Sequence, residues 1–395
     1  MAKKRSSQPP LTLAQQAARY GVSLLVSLVF ALLSLAAFYF LPARVTYRIQ
    51  EEYRFEAPGR LALGLLLPVD GPYQRVSAPQ VTWEGAEAVQ EERQAAPGVL
   101  ALRLQARAGA APASVRIAYQ VDLYQGARRW AGEPQPADLQ PQPGIESDAP
   151  EIQALAAQMP GTGRAAALSH YRYAAQALRW PAPGVSRVNV EASARTALET
   201  GEGVCEDFSY LMAAVNRAAG VPSRSISGLA FTPFSLPFVR QQAAWGHPGG
   251  AHAWVEYYAD GEWAMADPSW AGRLLQPVYF GRSDGSHLSY GEVQAEARAY
   301  RELSDWAEAQ GLQVSAAMSA PLKFVSAGEA PGAGVVPQAA VTRTWDGRWL
   351  NLLLGFLLLA AAVRFTDRLL LRRFSGAGSE RAGMGRSPTP GTEFP

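Results

Sequence analysis

The sequence predicts a mixed fold. A strand-rich N-terminal part is followed by a part combining helices with a β-hairpin, and the whole lies between two apolar segments. Three observations carry this. Short, partly alternating apolar runs broken by "APG", "DGP" and "AGAAPA" fill residues 43–130, the pattern of a small β-sandwich. The runs "APEIQALAAQM" and "RAAALSHYRYAAQALRW" read as helices. Further on, Asp260-Gly261 separates two strand-like runs, a strong signal for a two-residue hairpin turn. With 395 residues and 48% hydrophobic content, the chain can form two domains and at least one sizeable core.

The ends come first. Gly21 to Leu41 has no charge over 21 residues, enough to cross a bilayer as a helix, and Lys3, Lys4, Arg5 and Arg19 precede it. It is long for a cleaved signal peptide, and no small-x-small site follows. Trp349 to Val363 is shorter and is followed by Arg364, Arg368, Arg372 and Arg373. It spans if Arg364 snorkels and the helix continues to Leu371; otherwise it is a buried core helix. Positive charge outside both segments puts residues 1–20 and the C-terminal tail in the cytoplasm, with two spans at 21–41 and 349–371. The chain between them then lies outside the cytoplasmic membrane. The tail, 375–395, is rich in Gly, Ser and Pro and reads as disordered.

Between the spans, 43–130 reads as the β-sandwich-like domain, 131–150 as a proline-rich linker and 151–345 as a second domain with a C-terminal extension. A net charge of +2 argues against a nucleic-acid partner. Lysine occurs only at Lys3, Lys4 and Lys323 among many arginines and alanines, which points to a GC-rich bacterial genome. The chain has one cysteine, so an intramolecular disulfide is excluded.

That cysteine, Cys205, lies in "GEGVCEDFSYLMAAVNRAAGVPSR". A lone cysteine is more often a small core residue than a reactive one. Here Phe208, Leu211, Met212 and Val215 recur at helical spacing, and Gly220 and Pro222 end the helix. Cys205 therefore sits at a helix N-terminus, where unpaired N–H groups favour a thiolate. Gly201 and Gly203 leave room for a substrate backbone.

A nucleophilic cysteine needs a base, and the chain offers His170, His247, His252 and His287. With Asp260-Gly261 as the turn, Ala259 faces Glu262, and pairing runs back until Trp254 faces Asp267. His252 then shares a sheet face with Asp267 as its diagonal neighbour, about 7–8 Å away by Cα. In this arrangement Asp267 orients His252, and His252 takes the proton of Cys205. A register slip of one residue would separate the two. Trp254, Trp263 and Trp270 read as core aromatics that also exclude water. The histidines are too scattered to argue for a zinc site, and no CxxC, HExxH or phosphate loop occurs.

The runs "GEGVCEDFSYLMAAVNRAAGVPSRSISG", "HAWVEYY" and "GEWAMADPSW" resemble, in order, the catalytic core of the transglutaminase-like superfamily over roughly residues 150–290. The resemblance implies an α+β, papain-like core with the cysteine helix packed on an antiparallel sheet. It also implies nucleophile Cys205, general base His252 and orienting Asp267, acting on amide bonds through a thioester. The Cys205 N–H is one oxyanion donor. The family's second donor lies upstream, with Trp180 and Asn189 as candidates. Asp207 and Arg224 match structural positions, a helix cap and a buried polar contact. No acidic cluster resembles a calcium site, so no metal and no cofactor are expected.

The expected protein is thus a membrane-anchored, transglutaminase-like cysteine enzyme acting on proteins or peptides outside the membrane. Two alternatives stay open. One is a strict cysteine peptidase or amidase, told apart by whether an added amine is incorporated. The other is an inactive scaffold in a cell-envelope assembly, against which the intact Cys–His–Asp set argues.

Overall fold

The computed structural model describes residues 12–96, 99–109, 112–127, 129–181, 192–231, 240–243, 250–271, 277–314, 324–328 and 335–383. Its helices are α1 Leu13–Phe40, α2 Pro150–Gln158, α3 Gly163–Ala177, α4 Ala194–Thr200, α5 Cys205–Ala218, α6 Val293–Ala309 and α7 Gly347–Gly383. Eight strands precede α2: β1 Ala43–Phe55, β2 Gly59–Pro68, β3 Gln74–Val76, β4 Gln80–Glu84, β5 Ala86–Ala96, β6 Val99–Ala108, β7 Ala113–Ala127 and β8 Arg129–Trp130. Six follow α5: β9 Ser223–Ala230, β10 Arg240–Ala243, β11 Gly250–Ala259, β12 Glu262–Ala266, β13 Arg282–Asp284 and β14 His287–Glu292. After α6 come β15 Gln313–Val314, β16 Phe324–Gly328 and β17 Val335–Asp346.

The chain divides into two units, one formed by its two ends and one by Pro42–Gly347. In the first, α1 and α7 are each long and apolar enough to cross a membrane, over Gln16–Phe40 and Gly347–Leu370. They touch each other. Gly355 lies so close to Ser34 that a β-carbon there would come 2.2 Å from the hydroxyl, the close approach that small residues allow between apolar helices. Phe38 packs edge-on against Trp349 at 5.7 Å. Helix α7 continues to Gly383, through much of the tail read as disordered; residues 384–395 lie outside the described residues.

Among the described residues, the second unit holds three antiparallel sheets. One runs β10–β17–β1–β7–β13, with β3 and β4 also paired to β7; another runs β15–β16–β2–β6–β5; the third runs β14–β9–β11–β12–β8. The first two share one core, built from the buried alternate residues of β1 and β7 and the continuous apolar run of β2. Burial on both faces suits such an uninterrupted run. Leu303 of α6 packs against Gly64 at 3.0 Å from the position of its missing β-carbon.

This corrects the expected boundary. Residues 43–130 do not close a sandwich alone. Strand β17 pairs with β1 from Val45↔Asp346 to Phe55↔Val335, and β16 pairs with β2. The C-terminal extension thereby covers edges that would otherwise present unpaired N–H and C=O groups. Conversely, β8 leaves the N-terminal part to pair with β12.

The proline-rich linker is likewise a packed strap. Asp138, Ile145 and Ser147 are buried, and the Gln140 carbonyl accepts from Arg217 Nη1 at 2.6 Å. Gly144 adopts φ +80°, and a β-carbon there would meet the Tyr210 ring at 2.3 Å. A chain of short turns and one 3-10 turn at Pro136–Asp138 has no periodic signal, so its burial is invisible in the sequence.

Candidate active site

Helix α5 is the centre of the third sheet's domain, and Cys205 is its first residue. Three features fix that start. Gly201 takes φ +67° to end α4. The chain then pairs with Arg179: the Arg179 N–H donates to the Gly201 carbonyl at 2.9 Å, and the Gly203 N–H donates to the Arg179 carbonyl at 3.0 Å. Finally, Asp207 Oδ2 accepts from the Val204 N–H at 2.8 Å, which satisfies a donor at the helix N-terminus. The far end closes with Gly220 at φ +77° and the Val221 N–H donating to the Asn216 carbonyl at 2.8 Å, a Schellman arrangement.

The predicted apolar face of α5 is buried, but so is the rest of the helix from Asp207 to Arg217. Its polar residues therefore need partners. Ser209 Oγ bonds Ser225 Oγ and the Trp254 carbonyl, at 2.6 and 3.0 Å. Asn216 bonds His170 Nδ1 at 2.7 Å and donates to Ser223 Oγ at 2.9 Å. His170 is thus a core residue, its basicity lowered by burial, against which the Asn216 hydrogen bond acts. His247 lies outside the described residues.

The hairpin forms in the expected register. Ala259 faces Glu262, and pairing continues to Val255↔Ala266. Asp260 and Gly261 take φ of 58° and 83°, as a type I′ turn requires. The next pair back would be Trp254 and Asp267, so His252 arrives diagonally beside Asp267. Its Nε2 lies 2.9 Å from Asp267 Oδ2. The His252 ring is also within hydrogen-bonding reach of the Cys205 side chain; with Nε2 held by Asp267, Nδ1 is the nitrogen left to face the thiol. The fold thus brings Cys205, His252 and Asp267 together. Cys205 is half-buried, and the other two are buried.

The electrostatics follow from the contacts. Burial disfavours charge on His252, yet the Asp267 charge and hydrogen bond, with the Cys205 hydrogen bond, raise its pKa to about 9. Burial would push the Asp267 carboxyl up, but the charge and hydrogen bonds of His252 and His287 hold it far below the ordinary range. Asp267 Oδ1 accepts from the Ser269 N–H at 2.9 Å, the Ser269 hydroxyl at 2.7 Å and the Trp270 N–H at 3.3 Å.

Two residues that sequence reasoning passed over complete the cluster. His287, on β14, places Nε2 3.1 Å from the same Asp267 Oδ2 and Nδ1 2.7 Å from Asp284 Oδ1. The one local signal was "DGSH": Asp284 Oδ1 also accepts from the Ser286 N–H at 2.8 Å, a turn that brings its carboxylate back onto the histidine. The histidines are therefore less scattered than their spacing suggested. Among the described residues, donor atoms of His252, Asp267 and His287 lie within 4.8 Å of one another, close enough for a metal ion. Their hydrogen bonds to each other already account for that convergence.

Of the upstream oxyanion candidates, Trp180 is half exposed and stacks on Phe208 at 5.9 Å, next to the Arg179 clamp. Asn189 lies outside the described residues. Arg224 binds Glu256 and Glu292, each at 3.0 Å, and lies 4.0 Å over the Trp263 ring. The polar contact expected of it is there, though the Arg224 side chain itself is only part-buried, 24% exposed.

Residues 153–268 match the family model of the transglutaminase-like superfamily core, and this part of the chain is a transglutaminase-like domain. Among solved structures, a candidate cysteine protease from Cytophaga hutchinsonii is similar at 16% identity and a TM-score of 0.45, covering 78% of this chain and 97% of its own. The periplasmic domain of TgpA from Pseudomonas aeruginosa is similar at 19% identity and a TM-score of 0.30, covering 63% of this chain and 94% of its own. No protein of curated function matches the chain.

Proposed function

We propose that the chain is a membrane-anchored cysteine enzyme that acts on amide bonds of proteins or peptides outside the cytoplasmic membrane. Cys205 is the nucleophile, His252 the general base and acid, and Asp267 the residue that orients His252. The observation carrying this reading is that one buried ring, His252, meets a carboxylate at 2.9 Å and lies within hydrogen-bonding reach of the only cysteine, which opens a helix.

The chemistry follows. His252 takes the Cys205 proton, giving a thiolate–imidazolium pair favoured by the helix N-terminus and by Asp267. The thiolate adds to an amide carbonyl, and the Cys205 N–H faces the developing oxyanion. His252 then protonates the departing amine as the C–N bond breaks, leaving a thioester. Water or a second amine, deprotonated by His252, attacks the thioester and releases Cys205. Hydrolysis and crosslinking differ only in that last acceptor.

The membrane reading rests on the two apolar helices and on the basic residues outside them. It also fits the pairing of β1 with β17, which brings Val45 and Asp346 side by side.

The test is the iodoacetamide alkylation rate of Cys205 against pH, on the full chain in detergent and on His252→Ala. Fast alkylation well below the ordinary thiol pKa of about 8.5, lost in the variant, supports the enzyme. A rate rising only near that value in both proteins overturns it in favour of a scaffold. Amide substrates with and without added amine then separate peptidase from acyltransferase.

A further inference from the structure

His287 is fully buried, and each of its ring nitrogens faces a carboxylate, Asp284 on one side and Asp267 on the other. A neutral imidazole has one N–H and one lone pair. The lone pair of a neutral ring would point at a carboxylate oxygen, so two ionised carboxylates require both nitrogens to donate. The surroundings suit that cation. Trp254, Trp270 and Tyr279 enclose the ring, with centroids at 5.0, 4.9 and 6.4 Å, the two tryptophans within the distance over which an aromatic ring and a cation interact.

We propose that His287 is a buried imidazolium that serves as a positioning residue for the Cys205–His252 pair. It pins Asp267 Oδ2 and offsets part of that carboxylate's hold on the His252 proton. The proposal rests on the reading of His252 as the base of Cys205.

The charge count gives the reason. A thiolate, the His252 imidazolium and the carboxylates of Asp267 and Asp284 would leave two uncompensated negative charges in a dry interior, and a protonated His287 leaves one. Unbalanced, Asp267 would hold His252 protonated so firmly that it could neither accept nor return a proton near neutral pH. The His287 and His252 ring centroids are 5.2 Å apart, close enough for the two charges to repel.

The groups facing His287 come from every element around it: Asp284 of β13, Asp267 after β12, and His252 and Trp254 of β11. Trp270 and Tyr279 complete the ring. Cys205 of α5 acts through His252, and Tyr171 of α3 through Asp267. Against the penalty of burial, the two aspartates raise the His287 pKa to about 10, and its charge in turn lowers that of His252.

The test is a pH titration by NMR of the full chain in detergent with ¹⁵N-labelled histidine, in wild type and His287→Gln. The four histidines are assigned with His170→Gln and His247→Gln. In the wild type, His287 is expected to carry protons on both nitrogens through about pH 9. In His287→Gln, the His252 midpoint is expected to rise by about one to two pH units, the size of a removed unit charge at this separation. A neutral His287 ring near pH 7 overturns the proposal, as does a His252 midpoint that does not rise. If His287→Gln does not fold, the wild-type spectrum decides alone. Alkylation of the wild type tests the enzyme reading separately, because the histidine spectra do not depend on a reactive thiol.

Discussion

Gly203 lies directly against Asp207: a β-carbon on the glycine would come 2.5 Å from the Asp207 β-carbon. The aspartate accepts the Val204 N–H from that position, so the turn before Cys205 and the helix it opens are fitted to each other. Gly203→Ala must therefore displace one of them. The expected cost is about 1–3 kcal/mol, read as a lower denaturant midpoint at unchanged slope. The Cys205 alkylation rate at neutral pH is expected to fall as well, because the cysteine no longer meets His252. An unchanged rate would mean that helix placement does not set the reactivity.

Asp267→Asn removes the charge that keeps His252 protonated. Burial then dominates, and the His252 pKa drops from about 9 to below its ordinary value near 6.5. The window in which thiolate and imidazolium coexist narrows from its alkaline side. Turnover of any amide substrate is expected to fall by roughly 10²-fold or more. The pH profile of alkylation, followed to its upper limb, is the measurement.

Stability should carry the same signature. His252 and His287 have folded pKa values raised to about 9 and about 10. Their contribution is complete below the unfolded value near 6.5 and is lost as pH rises through those folded values. Asp267 is depressed, so its contribution is present above the unfolded value near 3.9 and is lost as pH falls toward its folded one. Denaturant midpoints measured against pH should therefore decline from about pH 6.5 to about pH 10, and again in acid. His287→Gln should flatten the alkaline decline.

Hydrogen bonds, not a metal ion, hold His252, Asp267 and His287 together in this reading. Prolonged chelator treatment is expected to leave the alkylation profile and the thermal midpoint unchanged. Loss of either on chelation, with recovery on adding back a divalent metal, would show that those side chains are ligands.

Gly144→Ala tests the strap. The residue sits at φ +80° with the Tyr210 ring where its β-carbon would go. The Gly144 carbonyl also accepts the Ala194 N–H at 2.8 Å. A side chain adds backbone strain to a clash, with an expected loss of about 2–4 kcal/mol. A substitution in a loose linker would cost almost nothing, so a denaturation curve separates the two.

Much of the site was legible because its determinants are local. The turn at Asp260-Gly261 sets the register, and the register delivers His252 to Asp267. The glycines, the apolar spacing after Cys205 and the Gly220 stop likewise define α5. What escaped was non-local. His287 reaches Asp267 only because β14 pairs with β9, His287 facing Ala230, and no periodicity encodes that pairing. Residues 43–130 look self-contained in sequence for the same reason: the partner of β1 lies near the far end of the chain. The full burial of α5 also depends on neighbours that its own apolar stripe cannot reveal.

The pairing of β1 with β17 also sets a timetable. Phe55 and Val335 are neighbours in the sheet, yet the ribosome makes one roughly 280 residues after the other. At about 5–20 residues per second, the β1 edge waits on the order of 15–60 seconds for its partner. Throughout that interval the newborn chain exposes an unsatisfied strand edge. Folding of the unit is therefore a late event, gated by the last strand to be translated. Truncation within β17 should leave a sticky, protease-sensitive chain rather than a slightly shorter protein.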